Sequence, residues 1–206
     1  MRIGIDFDNT IAGYDRLFAR LAVETGLAAI PPEGGKRAVR AAAWDSVDGD
    51  LAWQRLQALA YGPRLAEAEP IAGVREFLSE CRSRGVPVFV VSHKTRFAAA
   101  DRSGVDLHQA ALAWLDGQGF LAAGAGDLDP AGIHFETTRA AKIARIHSLG
   151  LSHFIDDLEE VLADPAFPRT VEAILFDPSG AAAAEGAAFR FRHWHEIGDH
   201  VFQRRH

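Results

Sequence analysis

Three short apolar runs in this 206-residue chain each end on side chains able to do chemistry, and that coincidence constrains the fold most. Ile3-Gly4-Ile5 leads into Asp6 and Asp8, Val86 to Val91 leads into Ser92, and His153-Phe154-Ile155 leads into Asp156-Asp157. Each run has the length and bulk of a buried strand. Between them apolar residues recur at helical spacing: Val74, Phe77, Leu78 and Cys81 form one stripe, and residues 107–115 and 140–149 read the same way. Further strands are predicted at 133–135 and 171–176. Strands alternating with helices predict an α/β fold, a Rossmann-like parallel sheet with helices on both faces. Ligands of such sheets gather at the carboxyl ends of the strands, so the three polar strand ends are expected to meet.

The opening segment carries the clearest chemistry. Asp6 and Asp8 are spaced i, i+2, which puts them on one face of an extended chain. Two carboxylates aimed at one point repel unless a cation sits between them, and a hard divalent ion such as Mg2+ meets that need. One carboxylate is then free to attack an electrophile while the other handles a proton. The plainer alternative is an Asx-type turn closing a strand.

The other polar strand ends carry similar pairs of readings. Ser92 offers a hydroxyl and backbone N–H groups to a phosphate, or it caps a helix. Lys142 can neutralise a carboxylate and a phosphoryl oxygen together, or it is a solvated helix lysine. Asp156 and Asp157 add oxygen ligands, or form a helix N-cap pair. His93, Lys94 and Arg96 after Ser92 place cations that can bind substrate anions, and Tyr14 follows the first carboxylates closely. Trp44, Trp53 and Tyr61 can stack a ring or fill a helical core. His193 and His195 flank Trp194 without the spacing of a metal site.

Asp6-Phe7-Asp8-Asn9-Thr10, then Ser92, Lys142 and Asp156-Asp157, resemble in type and order the motifs of the haloacid dehalogenase (HAD) superfamily. The resemblance covers roughly residues 1–12 and 70–178. It implies a phosphatase with Asp6 as nucleophile, Asp8 as general acid and base, Ser92 on the phosphoryl group and Lys142 stabilising charge. It also implies Mg2+ held by Asp6, Asp8 through its backbone carbonyl, and Asp156, with Asp157 in support. Asp8 separates the phosphatase pattern from that of dehalogenases, which lack the second carboxylate. Residues 13–69, mostly helical in pattern, resemble a small C1-type cap inserted in a core of residues 1–12 and 70–206. The implied substrate is a small phosphorylated metabolite, a sugar phosphate or a nucleotide monophosphate. A phosphotransferase and a non-catalytic binding module of the same fold are the alternatives.

Composition narrows the setting. A net charge of −6 gives no basic footprint, so no nucleic-acid partner is expected. Cys81 is the single cysteine, which excludes an internal disulfide and suits a reducing compartment. No apolar run is long enough to cross a bilayer and no signal-peptide pattern opens the chain, so a cytoplasmic protein without a membrane partner is expected. Pro31-Pro32-Glu33-Gly34-Gly35 and Gly62-Pro63 mark breaks. Oligomeric state is not legible, and the tail from Phe189 to His206 shows no assigned pattern.

Overall fold

A computed structural model describes residues 1–31, 34–100, 104–121, 126–180 and 189–203. Pro32 and Glu33 of the first break, Ala181 to Ala184 and the last three residues of the tail lie outside this set. The chain divides into two units. One comprises residues 1–11, 70–94 and 119–206; the other comprises 12–69 and 95–118.

The first unit is built on six parallel strands: β1 (Ile3–Ile5), β4 (Val88–His93), β5 (Ile133–Glu136), β6 (His153–Asp156), β7 (Glu172–Phe176) and β8 (Phe189–Phe191). Their order in the sheet is β5-β4-β1-β6-β7-β8. β1 is central, with Ile5 opposite Val90 on one side and Ile155 on the other. Its middle residue must be small: a Cβ on Gly4 would lie 2.4 Å from Leu151 Cδ1 and 2.6 Å from Phe154 Cδ2. All strands run the same way, so their carboxyl ends share one edge.

Alternate side chains of the strands feed two cores. On one face α6 (Arg139–Ser148) and α7 (Glu159–Leu162) cover the sheet, and Ile143, Ile146 and Val161 pack with Val91, Phe154 and Leu175. On the other face Phe176 meets Trp194 of α8 (Trp194–Val201), whose ring lies 4.9 Å from that of Phe77 on α4 (Val74–Ser83). The sheet with helices on both faces is the α/β architecture expected.

Two boundaries differ from expectation. β4 does not stop before Ser92; it runs two residues further because Ser92 and His93 pair with Phe135 and Glu136 of β5. It starts later because Val86 N–H closes the preceding helix on Cys81 O, and Pro87 has no N–H to give. The unassigned tail forms β8 and α8, the latter opened by a capping box between His193 and Glu196.

The second unit is helical: α1 (Asp15–Glu24), α2 (Gly35–Asp45), α3 (Asp50–Tyr61) and α5 (Leu107–Gly117). A two-stranded sheet of β2 (Ala12–Gly13) and β3 (Glu69–Pro70) accompanies them. The Phe18 ring stacks on Trp53 at 5.0 Å, and Tyr14 meets Tyr61 edge-on at 4.9 Å. This unit takes in residues 95–118 besides 12–69. The reason is packing: the buried Trp114 indole on α5 donates to Ala68 O at 2.9 Å, beside the short 3-10 turn Leu65–Glu67.

Candidate active site

β1 delivers its first polar residue into a crowded, dry position. Asp6 N donates to Ile155 O at 2.9 Å, next to the turn that follows β1. The turn is closed by Ile11 N to Phe7 O at 3.0 Å and uses a left-handed backbone at Asn9, φ 59°. Asparagine is among the residues that tolerate that conformation.

Lys142 reaches the same place from α6. Thr138 caps that helix by accepting from Ala141 N at 3.1 Å, and the helix stripe that packs on the sheet includes Lys142 with Ile143 and Ile146. The lysine is 0% exposed. Its Nζ donates to Asp6 Oδ1 at 2.6 Å and lies 2.7 Å from Asp156 Oδ2. Asp156, also 0% exposed, ends β6, and its Oδ1 accepts from Leu158 N at 3.0 Å. Its Oδ2, although paired in charge with Lys142, accepts no well-aligned hydrogen bond. Asp157 stands alongside, its Oδ2 accepting from Asn9 Nδ2 at 3.2 Å.

The electrostatics follow from counting charges. Burial pushes the Asp6 carboxyl up to about 7; Lys142 opposes that, and Asp156 and Asp8 add to it. Burial alone would lower Lys142, but Asp6 and Asp156 together outweigh it and hold the ammonium above its ordinary value. Two carboxylates within 2.7 Å of one ammonium describe a charged lysine with too little positive charge around it. Oxygen atoms of Asp6, Asp156 and Asp157 all lie within 4.8 Å of one another. An all-oxygen donor set with more negative than positive charge fits a hard divalent cation.

Asp8 has a different partner. Lys94, 4% exposed, sets its Nζ 3.0 Å from Asp8 Oδ1 and 2.8 Å from Oδ2. The structure thus brings together Asp6, Lys142, Asp156 and Asp157, and joins Asp8 to Lys94. Ser92 is buried in β4. His93 is exposed, with Nε2 3.1 Å from Thr137 O. Arg96 belongs to the second unit and pairs with Asp106 at 2.7 Å. Tyr14, also in the second unit, is buried among Phe18 and Tyr61. Of the aromatic candidates, Trp53 and Tyr61 pack in that cluster, and Trp44 carries the Arg40 guanidinium 4.2 Å above its ring. Two neighbours quoted with the first motif were given no role of their own: Asn9, which ties the first turn to Asp157, and Thr10, whose buried Oγ1 has no partner among the described residues. Their place in the first turn was the available signal.

No protein-family model and no curated protein matches the sequence. Solved structures do match. An HAD family hydrolase from Deinococcus radiodurans, solved with bound phosphate and sodium, superposes with a TM-score of 0.58 at 14% identity, over 98% of this chain and 95% of that one. An HAD-superfamily hydrolase from Ehrlichia chaffeensis gives 0.55 at 12% identity, over 98% and 96%. The chain has the fold of the HAD superfamily. An L-2-haloacid dehalogenase matches as well, with a TM-score of 0.56 at 12% identity over 98% of both chains. A dehalogenase shares the fold with these hydrolases, so the fold alone assigns no chemistry to the chain. No helix among the described residues is long and apolar enough to cross a membrane.

Proposed function

We propose that this chain is a phosphatase that hydrolyses a small phosphorylated metabolite through an aspartyl-phosphate on Asp6. The observation that carries the reading is the second carboxylate: Asp8 follows Asp6 by two residues and is held by Lys94 at 2.8 Å. A halide leaves without a proton, whereas an alkoxide leaving group needs one, and the covalent phosphate then needs a base to activate water. The bound phosphate in the D. radiodurans neighbour supports the same choice.

In this reading Asp6 attacks phosphorus and the bond to the ester oxygen breaks. Asp8 gives that oxygen its proton. Asp8 then takes a proton from water, whose oxygen attacks phosphorus and restores the Asp6 carboxylate. Lys142 holds Asp6 in place and offsets charge on the phosphoryl oxygens. Ser92 supplies a hydroxyl to the phosphoryl group. Asp6, the Asp8 backbone carbonyl and Asp156, with Asp157 in support, would hold Mg2+, which would supply positive charge to the transferring group. Substrate selection is assigned to the helical insertion of residues 13–69. A sugar phosphate or a nucleotide monophosphate is the substrate class.

Turnover of an aryl phosphate, measured with Mg2+ and in excess chelator, tests the reading. Release of phosphate that needs Mg2+ and is lost in Asp6→Asn is expected. Absence of phosphate release by the wild-type protein, from aryl phosphates and a panel of phosphorylated metabolites alike, would overturn it.

A further inference from the structure

We propose that Lys94 is a positioning residue for Asp8 and does not read a second anion on the substrate. The inference rests on the phosphatase reading above. A lysine that recruits an anion remote from the transferred phosphoryl group must present its ammonium to the substrate. Lys94 gives its ammonium to Asp8 instead. Its side chain is 2% exposed, and its backbone is fixed because Lys94 N donates to Glu136 O at 2.9 Å, extending the pairing of β4 with β5 by one residue. Its ammonium sits 5.5 Å from the centre of the Phe7 ring and touches both oxygens of Asp8, at 3.0 and 2.8 Å.

An ammonium set between both oxygens acts as a point charge that limits how far the carboxylate can swing. The Asp8 side chain remains 20% exposed, so it is held from its buried side and stays open to a substrate or a water. That is the arrangement needed by a group that first donates a proton to a leaving group and then accepts one from water. Small errors in its aim cost large factors in rate.

The test is a double-mutant cycle on the full chain with Mg2+, using phenyl phosphate and 2,4-dinitrophenyl phosphate. Lys94→Met should lower kcat on phenyl phosphate by about 10²-fold with little change in KM. In an Asp8→Asn background the same change should cost almost nothing further, because both act through one group. Dinitrophenolate leaves without a proton, so that ester should still phosphorylate Asp6 in Lys94→Met, giving a burst followed by slow hydrolysis. Lys94→Gln keeps a donor toward Asp8 and should fall between wild type and Lys94→Met; it carries the test if the methionine variant does not fold. Additive losses in the cycle would overturn the proposal and place Lys94 on the phosphoryl group. A raised KM with unchanged kcat on both esters would overturn it in favour of substrate binding. Unchanged kinetics with a lower melting temperature would reduce Lys94 to a structural role. Wild-type protein inactive on both esters and on the panel of phosphorylated metabolites would instead remove the phosphatase reading, and this role with it.

Discussion

Lys142 Nζ lies 2.6 Å from Asp6 Oδ1, across 136 residues of sequence, and both groups are buried. Removing one partner of such a pair strands the other charge in a dry site, at a cost of about 3–5 kcal/mol. Lys142→Met should therefore lower the melting temperature clearly in metal-free buffer. Because it leaves Asp6 and Asp156 facing each other without a cation, Mg2+ should raise its melting temperature more than that of the wild type. Thermal unfolding of both proteins with and without Mg2+ checks this. Equal Mg2+ shifts would mean that the ion does not reach these carboxylates.

The carboxylate cluster predicts an order among variants. Asp156 is fully buried, with one oxygen lacking a well-aligned bond, whereas Asp157 is half-buried and already accepts from Asn9. Asp156→Ala should raise the Mg2+ concentration needed for half-maximal stabilisation more than Asp157→Ala does. Calorimetric titration of Mg2+ into each variant decides it. The reverse order would make Asp157 the direct ligand and Asp156 its support.

Much of the sheet was legible because its strands are short, apolar and bounded by polar residues. β1, β5, β6 and β7 stand within a residue of their expected places. The cluster was legible for the same reason, since parallel strands deliver their ends to one edge. The pairing of Lys94 with Asp8 was not, because it depends on where β4 ends, and β5 decides that. A lysine three residues past an apolar run looks solvated until the strand is known to continue through Ser92 and His93. The tail is a different kind of omission. Trp194, Ile197, Gly198 and Val201 follow helical spacing behind a His193-to-Glu196 capping box, so α8 was readable and its aromatic neighbours obscured it.

Cys81 faces the core from α4 and should be chemically quiet. Burial pushes its thiol up from 9.0 to about 12, and the neighbouring Glu80 adds to the effect. The thiolate is the reactive form, so the native protein should resist a thiol reagent at pH 8 while the denatured chain reacts at once. The sign of the linked stability follows. Between pH 9 and about 12 the unfolded chain loses a proton that the native state keeps, so this group makes stability fall as pH rises through that window. Labelling kinetics and alkaline unfolding of wild type against Cys81→Ala test both statements. Rapid native labelling would show that α4 opens far more readily than its packing implies.

Asp106 gives a prediction for the second unit. It is the N-cap of α5, its Oδ1 accepting from His108 N at 3.0 Å and Gln109 N at 3.1 Å. Its other oxygen accepts from Arg96 Nε at 2.7 Å, and Leu107 N returns to Arg96 O at 2.8 Å. The Arg96 bond, helped by the helix amides, holds the carboxyl below its usual range. Loss of an N-cap costs about 0.5–2 kcal/mol. The salt bridge is solvent-exposed and adds little of its own. Asp106→Ala should therefore destabilise by about the capping amount, whereas Arg96→Ala should cost distinctly less. Asp106→Asn keeps the cap acceptor and loses the ion pair, so it should resemble Arg96→Ala. Urea unfolding of the three variants separates the contributions. A larger loss in Arg96→Ala than in Asp106→Ala would mean that the guanidinium, rather than the cap, holds the start of α5.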